Sequence, residues 1–101
     1  MIEKLNENNF DELTKTGLRL VEFTATWCGF CQRQEPIIRE LSNNNIWIGQ
    51  VDADDNPSLA KRFGIKGYPT FVLFKNGTPV TQIVGYHDKM TLMSILMEHI
   101  K

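Results

Sequence analysis

The chain contains two cysteines, Cys28 and Cys31, three positions apart within Trp27-Cys28-Gly29-Phe30-Cys31. Thiols at this spacing, just after an apolar run and at the start of a helical pattern, suit thiol–disulfide exchange. Residues three apart are neighbours on a helix face. Cys28 falls at the helix start, where free backbone N–H groups and the positive dipole end favour an anion. Its thiolate is expected to be stabilised, with a lowered pKa. Cys31 lies one turn further in and is expected to be more buried. Cys28 is then the attacking nucleophile and Cys31 the resolving thiol that breaks the mixed disulfide. Gly29 lets a substrate backbone come close.

Two other uses of such a pair are weaker. A structural disulfide between Cys28 and Cys31 closes a very short loop, for which chain entropy gives only about 2 kcal/mol. Half of a zinc site needs two further ligands. The histidines on offer, His87 and His99, are twelve positions apart without finger-like spacing. No metal or prosthetic cofactor is expected, and the two histidines read as surface residues without a role.

Glu22 is the second residue of chemical interest, within Leu20-Val21-Glu22-Phe23 and six positions before Cys28. A carboxylate in a strand covered on both sides has a raised pKa and can carry a proton near neutral pH. That makes it a candidate base for Cys31, acting through a water. The plainer alternative is a glutamate on a partly solvated face or paired with a lysine, and the residues alone leave the two readings level. Pro69 follows Tyr68 at a strand start. Taken alone it is expected in the trans form, the default for X-Pro bonds.

The elements that must position these groups follow from periodicity. Ile2–Leu5 reads as an edge strand and Asn6–Thr16 as a helix with Phe10 and Leu13 on one face, ended by Gly17. Leu18–Ala25 is a near-continuous apolar run, expected as a central strand buried on both faces. Cys28–Asn43 reads as a long helix containing Pro36, where a kink is expected. Ile46–Val51 is expected as a second central strand, then an acidic loop and a short helix from Pro57 to about Phe63. Phe71–Lys75 and Val80–Val84 flank Asn76-Gly77, a strong hairpin signal. Asp88 is placed to cap a last helix with Leu92, Ile95, Leu96 and Ile100 on one face. The order β-α-β-α-β-α-β-β-α gives an α/β fold, a central mixed sheet with helices on both faces.

With 101 residues the chain is expected to form a single domain over 1–101. Hydrophobic residues make up 42% and charged residues 23%, ordinary for a globular domain. A net charge of −1 gives no electrostatic reason to bind nucleic acid or an anionic membrane. No apolar run approaches the about 18–20 residues that span a bilayer. The polar start, Met1-Ile2-Glu3-Lys4, lacks the apolar core of an export signal, so a cytoplasmic protein is expected.

With these residues in place, the chain resembles the thioredoxin family along essentially its whole length. The resemblance is carried by Trp27-Cys28-Gly29-x-Cys31, Pro36, Asp52 to Pro57, Gly67-Tyr68-Pro69-Thr70, Phe74-Lys75-Asn76-Gly77 and Val84-Gly85. It implies a thioredoxin fold with a cis Pro69 beside the cysteines. It also implies a substrate groove made by Trp27, the Tyr68–Pro69 loop and Gly85, with Gly29 and Phe30 on the motif itself. Tyr68 takes the role of the residue whose backbone pairs with an extended substrate, and Glu22 that of the buried carboxylate. Three departures stand out: Phe30 replaces the proline usual between the cysteines, Glu22 replaces aspartate, and Gln50 replaces a lysine. Thr24 also stands where many members carry an aromatic. The Val-Glu-Phe strand and the Gly-Tyr-Pro-Thr loop are similar to the catalytic domains of protein disulfide isomerases, but Phe30 lacks their histidine. Gly29-Phe30 is similar to monothiol glutaredoxins, against which Cys31 argues.

The resemblance implies a monomeric dithiol reductant of disulfide-containing client proteins, recycled by a thioredoxin reductase-like donor. Two alternatives remain: an oxidant or isomerase using the same sulfurs, and a binding module whose Trp27, Phe30 and Tyr68 surface recruits a partner without turnover.

Overall fold

The structure, a computed structural model, describes residues 1–100. Among these residues the elements are β1 (Ile2–Leu5), α1 (Phe10–Thr14), β2 (Leu18–Thr24), α2 (Gly29–Asn43), β3 (Ile48–Asp52), α3 (Pro57–Arg62), β4 (Thr70–Lys75), β5 (Thr78–Val84) and α4 (Lys89–Glu98). The order is the expected one. The strands form one mixed sheet, β1-β3-β2-β4-β5, with β3 parallel to β1 and β2 and the remaining pairs antiparallel.

Side chains alternate along each strand, so the sheet has two apolar faces. Val21 and Phe23 pack with Phe10 and Leu59, which places α1 and α3 over one face. Leu20 and Ile48 pack with Ile38, Leu41, Leu92 and Leu96, which places α2 and α4 over the other. β2 is therefore buried on both sides, as expected, and it carries Glu22 into the interior.

Local chemistry explains where the boundaries differ from expectation. α1 starts at Phe10 because Asn6 and Asn9 exchange side-chain-to-backbone hydrogen bonds of 2.7–3.0 Å that wrap residues 6–9 into a turn. β3 starts at Ile48, two residues later than the pattern suggested. The Ile46 N–H is taken by the Leu41 carbonyl at 3.2 Å, closing the end of α2. Trp47 lies instead under the Arg19 guanidinium, 4.7 Å from ring centroid to Arg19 Cζ. α2 runs through Pro36 to Asn43. The hairpin has Asn76 and Gly77 at φ +51° and +84°, as a primed turn requires. Asp88 caps α4 by accepting from the Thr91 N–H at 2.9 Å. Ile100 does not join the buried face of that helix: it lies beyond Glu98 and is 68% exposed.

Candidate active site

The β2–α2 junction sets the thiols. Cys28 is the N-cap of α2, in extended backbone conformation, rather than its first helical residue. Its sulfur accepts the Cys31 N–H at 3.2 Å, satisfying one of the free donors at a helix start. The same sulfur donates to the Tyr68 carbonyl at 3.5 Å. Both thiols are free. They differ little in exposure, 6% for Cys28 and 4% for Cys31, so the expected extra burial of Cys31 is slight. Burial and then the hydrogen bond with Cys28 push the Cys31 thiol up to about 11, against smaller opposing bonds from Thr24 and the Ala25 backbone.

A polar row crosses the sheet beneath this junction. Glu22 on β2 pairs in register with Gln50 on β3, which pairs with Lys4 on β1. Glu22 is fully buried. Its Oε1 accepts from Gln50 Nε2 at 2.8 Å, and its Oε2 has no hydrogen-bond partner in the protein. Burial pushes its carboxyl up to about 7; the Gln50 bond opposes this, Glu35 adds to it, and Lys4 opposes it. Gln50 Nε2 also donates to Glu35 Oε2 at 2.9 Å. Thr24 follows Glu22 by two on the same strand and bonds to Cys31, so the polar face of β2 leads from the carboxylate to the inner thiol.

The rim is aromatic. Trp27, 67% exposed, donates from Nε1 to Asp54 Oδ2 at 2.8 Å and meets Tyr68 edge-on, with ring centroids 5.8 Å apart. Burial and then Asp54 push the Tyr68 phenol up. The Tyr68–Pro69 bond is cis, against the trans default and as the family resemblance implied. The Pro69 carbonyl accepts the Gly85 N–H at 2.7 Å, joining two parts of the expected groove. Gly85 itself has φ +100°, a conformation that favours glycine. Gly29 has open space where a Cβ would stand. Phe30 is 57% exposed, and Arg33 lies over both its ring and that of Tyr86.

A family model described as Thioredoxin matches residues 1–98. The chain belongs to the thioredoxin family. It is 39% identical to a thioredoxin of Staphylococcus haemolyticus over 98% of both chains, and 36% identical to one of Chlamydia caviae over 98% of this chain and 99% of the other. Among solved structures, it resembles a thioredoxin variant of Halobacterium salinarum with TM-score 0.93, at 30% identity over 99% of this chain and 91% of the other. A Malassezia sympodialis thioredoxin gives TM-score 0.87 at 28% identity, over 99% and 94%. The fold is the thioredoxin fold, and the chain is a protein thiol–disulfide oxidoreductase, for which dithiol reduction is the typical role. Thioredoxins act through a redox-active cysteine pair without a prosthetic cofactor, and Cys28 and Cys31 fit that motif. Among the described residues no cluster of three or more His, Cys, Asp or Glu side chains is arranged to hold a metal ion.

Two residues of this thioredoxin-family site, Glu35 and Gln34, were not singled out by sequence reasoning, and His87 was given no role. Glu35 lies on α2, and only the docking of that helix on β3 brings it to Gln50. Gln34 is fully buried and exchanges two hydrogen bonds with the His87 backbone, at 2.8 and 2.9 Å, tying α2 to the turn after Gly85. His87 is part of that turn, since its Nδ1 lies 2.7 Å from the Gly85 carbonyl, and it is not the free surface residue expected. His99 is likewise engaged, with Nδ1 3.0 Å from the Ile95 carbonyl and Nε2 3.3 Å from Thr81 Oγ1.

Proposed function

We propose that the chain is a monomeric cytoplasmic reductant of protein disulfides, one thioredoxin domain over 1–101, with Cys28 attacking and Cys31 resolving. The observation that carries this reading is the placing of the Cys28 sulfur at the α2 N-cap, facing the Cys31 N–H at 3.2 Å. Helix-end donors stabilise negative charge on that sulfur. In the first step the Cys28 thiolate attacks a client disulfide, forming a mixed disulfide and releasing one client thiolate. In the second, Cys31 loses its proton and attacks the Cys28 sulfur, releasing the other client thiolate and leaving Cys28–Cys31 oxidised. Two electrons pass from the dithiol to the client. A reductase-like donor returns them.

Cys31 needs a proton acceptor for the second step, because burial holds it as a thiol at neutral pH. Glu22 supplies one, with Oε2 unpartnered and a carboxyl that burial pushes up to about 7. Glu22 lies two positions from Thr24 on one face of β2, about 7 Å along the strand, and the proton passes to it from the thiol beside Thr24 by way of one bridging water. Once Cys28 is capped by the client, its contribution to holding the Cys31 proton is gone. Trp27, Gly29, Phe30, Tyr68, Pro69 and Gly85 form the surface on which the client strand lies, Tyr68 pairing through its backbone.

The test is the redox poise. Equilibration with glutathione buffers should give a Cys28–Cys31 potential near those of thioredoxins, and the protein should turn over insulin disulfides with a thioredoxin reductase. A poise close to the disulfide isomerases would replace the reductant reading with the oxidant one. Biological activity that survives replacing both cysteines by serine would favour the binding module.

A further inference from the structure

The buried Gln50 carboxamide makes both of its N–H bonds to carboxylates, Glu22 Oε1 at 2.8 Å and Glu35 Oε2 at 2.9 Å. Its oxygen is turned the other way, accepting from Lys4 Nζ at 3.4 Å. The opposite orientation would set an amide oxygen against two anions, so the three neighbours together fix the amide. Two carboxylates are thereby held to one nitrogen, in unequal surroundings. Glu22 is fully buried, whereas the Glu35 side chain is 34% exposed, on the wall of an open cleft shared with Lys4 and Thr24. When two like charges are held this close in different environments, the drier group takes the proton.

We propose that Glu35 is a positioning residue for the resolving step: its charge, held to Glu22 across the Gln50 amide, keeps Glu22 able to bind the Cys31 proton near neutral pH. The inference rests on the reading of Glu22 as proton acceptor. An ordinary surface glutamate on α2 would need only its i,i+4 partner Arg39, whose Nε lies 3.7 Å from Glu35 Oε1. Here Oε1 faces Arg39 while Oε2 reaches inward to a buried amide, so one side chain links solvent to the interior.

The other groups around Glu22 do not replace this effect. From β1, Lys4 acts in the opposite direction, lowering the proton affinity of Glu22. From β3 come Gln50 and, further along the cleft wall, Asp52. From α2 come Glu35 and the Cys31 thiol. β4 places Phe71 opposite Glu22, and α4 presents Leu92 and Leu96 to this side of the sheet. Glu35 is the one charged neighbour that adds to the effect of burial on Glu22, against the Gln50 bond and Lys4, which both lower its proton affinity.

The test follows Glu22 directly by carboxyl carbon NMR in the reduced full-length protein, for wild type, Glu35→Gln and Glu35→Lys. Glu35 is partly exposed on a helix, so both variants keep the core intact. The single-turnover rate of mixed-disulfide resolution is measured across the same pH range. Glu35→Gln should lower the Glu22 midpoint by about half to one pH unit and Glu35→Lys should lower it further, with the kinetic midpoint moving in step. An unchanged Glu22 midpoint in both variants overturns the proposal, whatever the rates do. A lowered midpoint with an unmoved kinetic profile also refutes it, and assigns the failure to the role of Glu22 rather than to its coupling with Glu35.

Discussion

Glu22→Gln isolates the cost of the buried carboxylate. The Glu22 carboxyl rises from its ordinary value of 4.5 to about 7, chiefly by burial. Between those values the folded protein holds a proton that the unfolded chain has lost, so stability falls as pH rises. At about 1.4 kcal/mol per pH unit, the shift amounts to roughly 3 kcal/mol of stability, present in full below pH 4.5 and lost above pH 7. Between pH 5 and pH 8 about 2–3 kcal/mol of it is lost. The substituted amide does not titrate, so the variant's curve lacks this fall. The variant does carry a constant penalty of about 1–3 kcal/mol, because an amide N–H₂ would replace the unpartnered Oε2. The difference in slope is therefore the reading, not the offset. Urea unfolding of both proteins, kept reduced, at pH 5, 6, 7 and 8 measures it. The variant should be the less stable at pH 5 and should recover about 2–3 kcal/mol relative to wild type by pH 8. Parallel curves would refute the reasoning, since they would mean that Glu22 titrates alike folded and unfolded.

Two further substitutions probe the frame of the site. An ideal Cβ on Gly49 would sit 2.6 Å from Leu5 Cδ1 and 2.9 Å from the Trp47 ring, so Gly49→Ala should cost about 1–3 kcal/mol. Calorimetry should then show Tm lower by at least about 4 °C, and an unchanged Tm would contradict the close approach of β1 and Trp47. Thr24→Val removes the side-chain bond that opposes the rise of the Cys31 thiol. Resolution of a Cys28 mixed disulfide should slow by about 2–10-fold at pH 7, and an equal rate would mean that the bond does not hold the reacting sulfur.

The fold was legible because its signals are local. Apolar runs, the Asn76-Gly77 turn, Gly17 and the Asp88 cap each act within a few residues, and the element order followed from them. The first helix was overextended because Asn6 and Asn9 bond to their own backbone, which periodicity does not register. At the site, spacing pointed to Cys28 and Cys31, and the apolar strand around Glu22 made it a candidate buried carboxylate. The polar row Lys4–Gln50–Glu22 was hidden, since it depends on which residues fall opposite one another in β1, β3 and β2. Gln50 could be noticed as a departure from the family, but not as a bridge. Glu35 left no local signal beyond an unremarkable pairing with Arg39. The cis form of Pro69 also came from the family resemblance, since trans is the default for an X-Pro bond.

The division of labour between the two sulfurs is the central claim, and trapping tests it most directly. Cys31→Ser and Cys28→Ser are each mixed, reduced, with a disulfide-bonded client at neutral pH, and the products are separated without reductant and mapped by mass spectrometry. Cys31→Ser should accumulate a stable mixed disulfide through Cys28, while Cys28→Ser should form little or none. A stable adduct through Cys31 in the second variant, at a yield matching the first, would contradict the account.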